Sequence, residues 1–356
     1  MKRVLLLTAS YGSGHNAAAR CLAQAFEREG CAVTVVDHFR ELVSPLFERA
    51  SRALYHAILL RAPVLWGIGY ALGDWMASDS PFALGVTRLG ARRLAPLLDS
   101  LRPDAVVTVH ATPATAMSAL VAEGRRTPPH TSVVTDFVAH SQWIARHIDC
   151  YCVAADEVKH EFIARGIPAQ RIVVTGMPVR AEFAEPVDPA AVRAALGLGD
   201  RAPVVLAMAG SQGSFGRLPD VARALDALEW PLQGLLVAGH DKGLRRRLER
   251  LTDGTRVRTV GYVDDVPRLM AAGLPVLAYG SLPGQEQRNE HFAARAGIAL
   301  VARSYLELVH LLDRALDDPD LLERLRARIR RVRRRDATQR IVSAVLEPLG
   351  QPATRP

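Results

Sequence analysis

The fold of the amino-terminal half is decided by residues 4–19, which read VLLLTASYGSGHNAAA. The continuous apolar run from Val4 to Leu7 is typical of a buried strand in a parallel sheet. Gly12 and Gly14 follow and allow a sharp turn, after which a run of small residues favours a helix. The stretch therefore predicts a strand, a glycine turn and a helix, the opening unit of a doubly wound α/β sheet.

His15 lies where this turn becomes the helix, and it is the first candidate functional residue. Unpaired N–H groups at a helix start favour anions, and an imidazole can exchange a proton near neutral pH. A catalytic role and a purely structural corner are equally open on this motif alone. The dinucleotide fingerprint G-x-G-x-x-G is excluded because Ala17 occupies its third glycine position, and no Gly-Lys-Ser/Thr follows as in a Walker loop.

The composition is that of an ordinary globular protein of 356 residues, 49% apolar and 23% charged, a length that favours two domains. The net charge of +8 favours anionic partners, although free use of arginine explains it without any partner. No leader pattern and no spanning helix are expected, which predicts a cytoplasmic protein. The cysteines lack metal-ligand spacing and are expected to be reduced thiols: Cys21, Cys31, Cys150 and Cys152.

Predicted strands and helices alternate through the chain, with a long helical stretch over residues 39–101. The alternation restarts after a proline-containing join at 179–201. It predicts two doubly wound parallel-sheet domains, at residues 1–184 and 200–347, facing each other across a cleft. Ligands of parallel sheets bind at the carboxyl ends of strands, where several glycine turns lie.

Four motifs, in order along the chain, carry a resemblance to a known family. They are Gly12-Ser13-Gly14-His15 with Ala17-Ala18, Val133-Val134-Thr135-Asp136-Phe137 with His140 and Trp143, Gly166-Ile167-Pro168 through Ile172 with Thr175-Gly176-Met177-Pro178-Val179 and Phe183, and Pro283-Gly284-Gln285-Glu286 with Asn289. With them, residues 2–303 resemble the GT-B glycolipid glycosyltransferases, namely monogalactosyldiacylglycerol synthases and processive diacylglycerol glucosyltransferases. The lipid-linked cell-wall N-acetylglucosaminyltransferase is a more distant relative.

The resemblance implies a function for each half of the chain. The N-terminal domain would bind a diacylglycerol-type lipid at the membrane, and the C-terminal domain would bind a UDP-hexose as co-substrate, with no metal or other cofactor. His15 would be the general base that deprotonates the acceptor hydroxyl during an inverting transfer, a role that suits an imidazole. A peripheral position on the inner face of the cell membrane follows.

The acceptor and donor residues are expected at strand ends. The acceptor set comprises Gly12, Ser13, Gly14, His110, Asp136, His140 and Trp143. Structural roles are open for three of them: a hydrogen-bonded His110, a helix cap at Asp136 and a core position for Trp143. The donor set comprises Gly210, Ser211, Gln212, Gly213, Gly261, Tyr262, Gly284, Gln285, Glu286 and Asn289. Backbone N–H groups of 211–213 would stabilise charge on the leaving diphosphate.

The chain departs from the family at one place, between Ala272 and Gly273. The family has a further strand, glycine-rich donor loop and helix there, about one βα unit. The C-terminal sheet is therefore expected to lack this unit. Either residues 274–279 fill the empty slot, or the chain is a catalytically degenerate lipid- or nucleotide-binding protein. A UDP-sugar epimerase is a third possibility, which the acceptor-side motifs disfavour.

Two segments suggest contact with an anionic membrane surface. Residues 47–75 carry many apolar and aromatic side chains, which indicate either a membrane-surface helix or a buried core helix. Residues 324–335 are rich in arginine, but nearby acidic residues favour an ordinary solvated helix. No nucleic-acid-binding signature accompanies them, so no nucleic-acid partner is expected.

Overall fold

The computed structural model describes residues 1–10, 13–75, 81–183, 185, 188–199, 202–208, 217–263 and 276–350. The chain divides into two compact units. The first unit contains residues 1–58, 64–180 and 334–356, and the second contains residues 59–63 and 181–333.

The first unit is built on a six-stranded parallel sheet. Its strands are β1 (Arg3–Thr8), β2 (Ala32–Asp37), β3 (Ala105–Thr108), β4 (His130–Val133), β5 (Cys150–Val153) and β6 (Ile172–Val174), in the order β2-β1-β3-β4-β5-β6. The order reverses between β1 and β3, and such a switch point is where open α/β sheets bind ligands. The predicted doubly wound sheet is therefore confirmed for this half.

Helices cover both faces of this sheet. The helices between β1 and β6 along the chain are α1 (Ser13–Arg28), α2 (Pro45–Arg61), α3 (Pro63–Trp75), α4 (Pro81–Leu101), α5 (Ala111–Ala122) and α6 (Asp156–Ala164), with a π-helical turn at His38–Val43. Alternate residues of β1 bury on opposite faces, as the period of a strand requires. Leu6 packs with Leu22 and Phe26 of α1, whereas Leu5 packs with Leu94 of α4.

The last helix, α13 (Ala337–Leu346), corrects the predicted domain boundary. Residues 334–347 were assigned to the second domain, but they belong to the first unit. Ile341, Val342 and Val345 are buried in the same core as Leu22 and Phe26. The apolar face of this helix is thus covered by α1 and the first sheet, so the prediction of a continuous 200–347 domain is wrong at its carboxyl end.

The second unit contains two short parallel sheets. The strands β7 (Val204–Met208), β8 (Gln233–Val237) and β9 (Val257–Val260) form one, and β10 (Val276–Tyr279) pairs with β11 (Ala299–Ala302) in the other. The helices around them are α7 (Pro189–Ala195), α8 (Leu218–Ala227), α9 (Lys242–Leu251), α10 (Gln285–Arg295), α11 (Tyr305–Asp317) and α12 (Pro319–Val332). Within the described residues β10 does not pair with β7. The junction of Ala272 and Gly273 lies outside those residues.

Two further expectations concern the chain as a whole. None of the helices in the described ranges combines the length and the apolar character needed to cross a bilayer. None of the four cysteines forms a disulfide, as expected.

Candidate active site at the switch point of the first sheet

His15 lies in the first turn of α1, and two neighbouring strand ends determine which of its nitrogens carries the proton. Its Nδ1 is 2.9 Å from the carbonyl oxygen of Val109 and 3.0 Å from the hydroxyl oxygen of Thr135. A carbonyl oxygen can only accept, so Nδ1 is the protonated nitrogen and donates to it. The lone pair of the neutral ring is therefore on Nε2, as a general base requires.

The environment keeps this imidazole neutral. Burial lowers the pKa of His15 below its ordinary value, and the negative charge of Asp136 and the bond to Val109 offset this only in part. A neutral imidazole can accept a proton at neutral pH. The half-buried ring thus has the protonation state of a base ready for use.

His110 lies beside His15 and begins the next helix. Its Nδ1 accepts the backbone N–H of Thr112 at 3.1 Å, so the neutral ring carries its proton on Nε2. The two imidazole rings meet edge to face at 4.8 Å between centroids. Burial, His15 and His38 lower the pKa of His110 well below its ordinary value. The structural role considered for His110 is thus present as a helix cap, and its acceptor contact stays a prediction.

Asp136 and Trp143 are buried and bind each other, because the indole Nε1 of Trp143 donates to the Asp136 carboxylate at 2.9 Å. His140 caps the short 3₁₀ turn at Ser141–Trp143, since its Nδ1 accepts the N–H of Gln142. The cap of this turn is therefore His140 and not Asp136. Direct acceptor contacts of these three residues stay predictions, and their observed partners are protein groups.

The glycine turn is flanked by a polar network. The Asn16 side-chain oxygen accepts from the Thr8 hydroxyl at 3.0 Å, and its amide nitrogen donates to the Ser10 hydroxyl at 3.0 Å. The Ser10 hydroxyl in turn donates to the carboxylate of Asp37. A Cβ added at Gly14 would meet no atom within 4 Å. Gly12 and the side chain of Ser13 lie outside the described residues.

The donor residues predicted in the second unit lie at several strand ends. Tyr262, exposed after β9, stacks on His240 after β8 with ring centroids 3.9 Å apart and 13° between planes. Beside it, a Cβ at Gly261 would come within 3.2 Å of Arg245. Gly210, Ser211, Gln212 and Gly213 fall outside the described residues.

The other predicted donor residues surround the start of α10. Gly284 precedes this helix with φ of 97°, a conformation that favours glycine. Gln285, Glu286 and Asn289 lie in the first two turns, where Glu286 accepts the N–H of Leu282 at 3.2 Å. Donor binding by these residues stays a prediction.

Sequence reasoning identified His15 but missed Val109 and Thr135, which fix its tautomer. Both lie just beyond a strand, at the edge where ligands of parallel sheets bind. Their positions were therefore available as a weak signal. No group of three or more potential metal ligands is found among the residues that the structure describes.

The two parallel-sheet units define a GT-B fold, the architecture of a large class of glycosyltransferases. Residues 15–179 match the family model described as monogalactosyldiacylglycerol (MGDG) synthase. The chain is 29% identical to a processive diacylglycerol beta-glucosyltransferase of Bacillus thuringiensis, over 97% of this chain and 93% of that protein. The resemblance predicted from the four motifs is confirmed.

Solved structures support the fold. MurG of Acinetobacter baumannii superposes with a TM-score of 0.66 at 16% identity, covering 98% of this chain and 100% of that one. A UDP-GlcNAc 2-epimerase of Neisseria meningitidis superposes with a TM-score of 0.59 at 13% identity, covering 98% of this chain and 100% of that one. At such identities the likeness concerns the fold alone, so it does not separate a transferase from an epimerase.

Proposed function

We propose that this protein is an inverting glycosyltransferase that moves a hexose from a UDP-sugar to a diacylglycerol-type lipid. The observation that carries the proposal is the tautomer of His15, whose Nδ1–H is held by Val109 and whose Nε2 is left as the basic atom. The similarity to a diacylglycerol glucosyltransferase over nearly the whole chain supports the substrates.

The reaction follows from the contacts of His15. Nε2 takes the proton of the acceptor hydroxyl while that oxygen attacks the anomeric carbon and the bond to UDP breaks on the opposite face. One displacement inverts the anomeric centre. The imidazolium that forms is stabilised by the Val109 carbonyl, by the hydroxyl oxygen of Thr135 and by the charge of Asp136. General base catalysis of this kind contributes about 10²–10⁴-fold.

The donor half is proposed from the second unit. The exposed ring of Tyr262, supported from behind by His240, offers a flat face for the uracil base. Glu286 and Asn289, at the start of α10, would contact the sugar and ribose hydroxyls. The UDP-sugar is the co-substrate in this proposal, with no metal or other cofactor.

Exposed apolar side chains on α2 and α3 support peripheral attachment to a membrane. On α3 the exposed residues share one helical face: Val64, Leu65, Ile68 and Leu72. On α2, exposed Leu46 and Leu54 lie near the exposed cation Arg49, whereas Arg52 pairs with Glu48 at 2.9 Å. An apolar face beside basic side chains suits the interface of an anionic bilayer. The side chains of Arg324, Arg326 and Arg330 instead pair with acidic neighbours, which supports a solvated helix there.

The test replaces the base. His15→Gln should lower the rate of hexose transfer at least about 100-fold, because glutamine cannot accept the proton. Calorimetric binding of UDP and co-sedimentation with vesicles should be unchanged in this variant. Since the pKa of His15 is lowered, kcat/KM of the wild type should start to fall only at a pH below the ordinary histidine value of about 6.5. Retained turnover in the variant would remove His15 from the base role.

A catalytically degenerate lipid- or nucleotide-binding protein is the second candidate. The sequence favours it, because Ala272 runs directly into Gly273 at the place where the family has a further strand and a glycine-rich donor loop. Calorimetric titration of the folded wild-type protein with UDP, followed by a hexose-transfer assay with diacylglycerol, separates the two candidates. Micromolar binding with turnover supports the transferase, whereas binding without turnover, or no binding, favours the degenerate protein.

A further inference from the structure

We infer that residues 38–47 form the surface along which the apolar part of the lipid acceptor lies on its way to His15. The inference rests on the proposed function, because it assigns a place to the acceptor of that reaction. It concerns the π-helical turn after β2 and the first turn of α2, neither of which was among the predicted site residues.

A continuous row of aromatic rings joins the base to the exposed end of this segment. The ring of His110 contacts His15 at 4.8 Å and Phe39 at 6.2 Å. Phe39 then stacks on Phe47 at 6.2 Å, with 21° between the ring planes. Phe39 is buried, whereas Phe47 is 38% exposed and follows the exposed Leu46. The row therefore runs from the base to an exposed apolar surface.

The chemistry of the row fits an amphiphile with one reactive hydroxyl. Its outer end is the exposed ring of Phe47, which offers apolar surface and favours acyl chains and the glycerol carbons, and the buried ring of Phe39 lies between Phe47 and His110. Its inner part presents the basic Nε2 of His15 and the Nε2–H of His110, which suit a hydroxyl and an ester oxygen. An acylglycerol has these two parts in this order.

Hydrogen bonds join the aromatic turn to the segment that carries the base. Asp37 caps the turn by accepting the N–H of Arg40 at 2.9 Å, and its other carboxylate oxygen accepts from the hydroxyl of Ser10. Ser10 in turn accepts from the amide of Asn16, the residue after His15. These hydrogen bonds fix the position of the π-helical turn relative to His15, as a surface that positions a substrate requires.

The turn is also supported from behind and has an unusual backbone. His38 is fully buried against Gly90 of α4, where φ is 86° and an added Cβ would lie 2.7 Å from the His38 ring. Short π-helical segments are rare and are frequently found at functional sites. Here the segment directs Phe39 towards His110 while His38 fills the space beneath it.

The kinetic test uses Phe47→Ala, with Phe47→Leu as the conservative variant. Ile163→Ala is the matched control, because Ile163 is 39% exposed on α6 and Phe47 is 38% exposed. With diacylglycerol in mixed micelles, Phe47→Ala should raise KM about tenfold with kcat within about twofold, because part of the burial energy of one aromatic ring is lost. Phe47→Leu should restore most of the affinity, and Ile163→Ala should leave both constants unchanged. A Phe47→Ala enzyme with wild-type KM would overturn the inference.

A photolabel separates this inference from the proposed function. A diacylglycerol carrying a diazirine near the ester of one acyl chain is cross-linked to the wild-type protein, and the labelled peptides are mapped. Label within residues 38–47 supports the acceptor surface, even in a protein that transfers no hexose. Transfer activity with label confined to other segments overturns the acceptor surface while the proposed function stands. Absence of both transfer and label at 38–47 refutes both.

Discussion

The proton on His15 is positioned by a backbone carbonyl, which no substitution of Val109 removes. The side chain that shares the task is Thr135, whose hydroxyl oxygen lies 3.0 Å from the same nitrogen. When Nε2 takes a proton, the ring becomes charged, and each acceptor on Nδ1–H then stabilises a cation. Hydrogen bonds to charged groups contribute about 1.5–3 kcal/mol, more than bonds between neutral groups.

Thr135→Val is therefore expected to slow the reaction without changing the fold, because valine keeps the shape and loses the hydroxyl. We expect kcat to fall about tenfold or more. The acidic limb of the pH profile should move to lower pH, since the protonated ring loses one of its acceptors. Thr135→Ser should keep both properties. A Thr135→Val enzyme with wild-type kcat and pH profile would contradict this account.

The position of His15 at the glycine turn before α1 was predictable from the sequence, and its protonation state was not. A glycine turn before a helix places a histidine beside the unpaired backbone N–H groups of the first helical turn, where ligands can bind. The two groups that determine the tautomer are 94 and 120 residues away in the chain. A carbonyl oxygen has no sequence signature of its own, so only the arrangement of β1, β3 and β4 reveals it.

At the scale of elements, the carboxyl end of α3 is fastened to the loop after β4. The hydroxyl of Ser141 donates to the carbonyl of Gly73 at 2.6 Å, and the backbone N–H of Ser141 donates to Asp74 at 2.8 Å. Arg165 adds a salt bridge to Asp74 at 2.9 Å. The bond to Gly73 satisfies a carbonyl that a helix end otherwise leaves unpaired, and the two contacts of Asp74 hold the helix end against the protein.

Asp74→Ala should loosen α3 locally. The Asp74 side chain is only 10% exposed, so removing it leaves Arg165 and the Ser141 N–H without their partner, at a cost of about 1–3 kcal/mol. Amide hydrogen exchange in residues 63–75 should become at least about tenfold faster, while β1 and β3 keep their protection. Asp99→Ala is the control, because Asp99 pairs with Arg125 but is 70% exposed. Equal exchange in both variants would contradict the anchoring role.

The same helix shows where sequence reasoning reaches its limit for an element. Residues 47–75 are apolar on more than one face, so their pattern predicts helices but not which face meets the protein. The structure distinguishes the faces, since Val64, Leu65 and Leu72 are exposed while the Tyr70 ring packs on His140 at 4.1 Å. Packing of Tyr70 against His140, in the loop after β4, therefore determines which face of α3 meets the protein.

At the scale of the whole molecule, the strand–helix alternation predicted both parallel-sheet units. It did not predict that the last helix, α13, packs in the first unit. The sequence of α13 predicts an amphipathic helix, but this pattern does not indicate which sheet covers its apolar face. Its partners, Leu22 and Phe26, lie more than 300 residues earlier in the chain, so nothing local indicates them. The Lys2 ammonium donates to the carbonyl of Leu346 at 3.1 Å, which joins the two ends of the chain in one unit.

The position of α13 predicts that a change near the carboxyl end destabilises the amino-terminal sheet. Ile341 is fully buried, so Ile341→Ala removes three heavy atoms from a packed core and should cost about 2–5 kcal/mol. Because two units need not unfold together, hydrogen exchange is the appropriate measurement. Protection should fall in β1 and α1 and stay unchanged in β8. The control Leu306→Ala changes a 78% exposed side chain and should alter neither. If Ile341→Ala lowered protection in β8 and spared β1, α13 would belong to the second unit in solution.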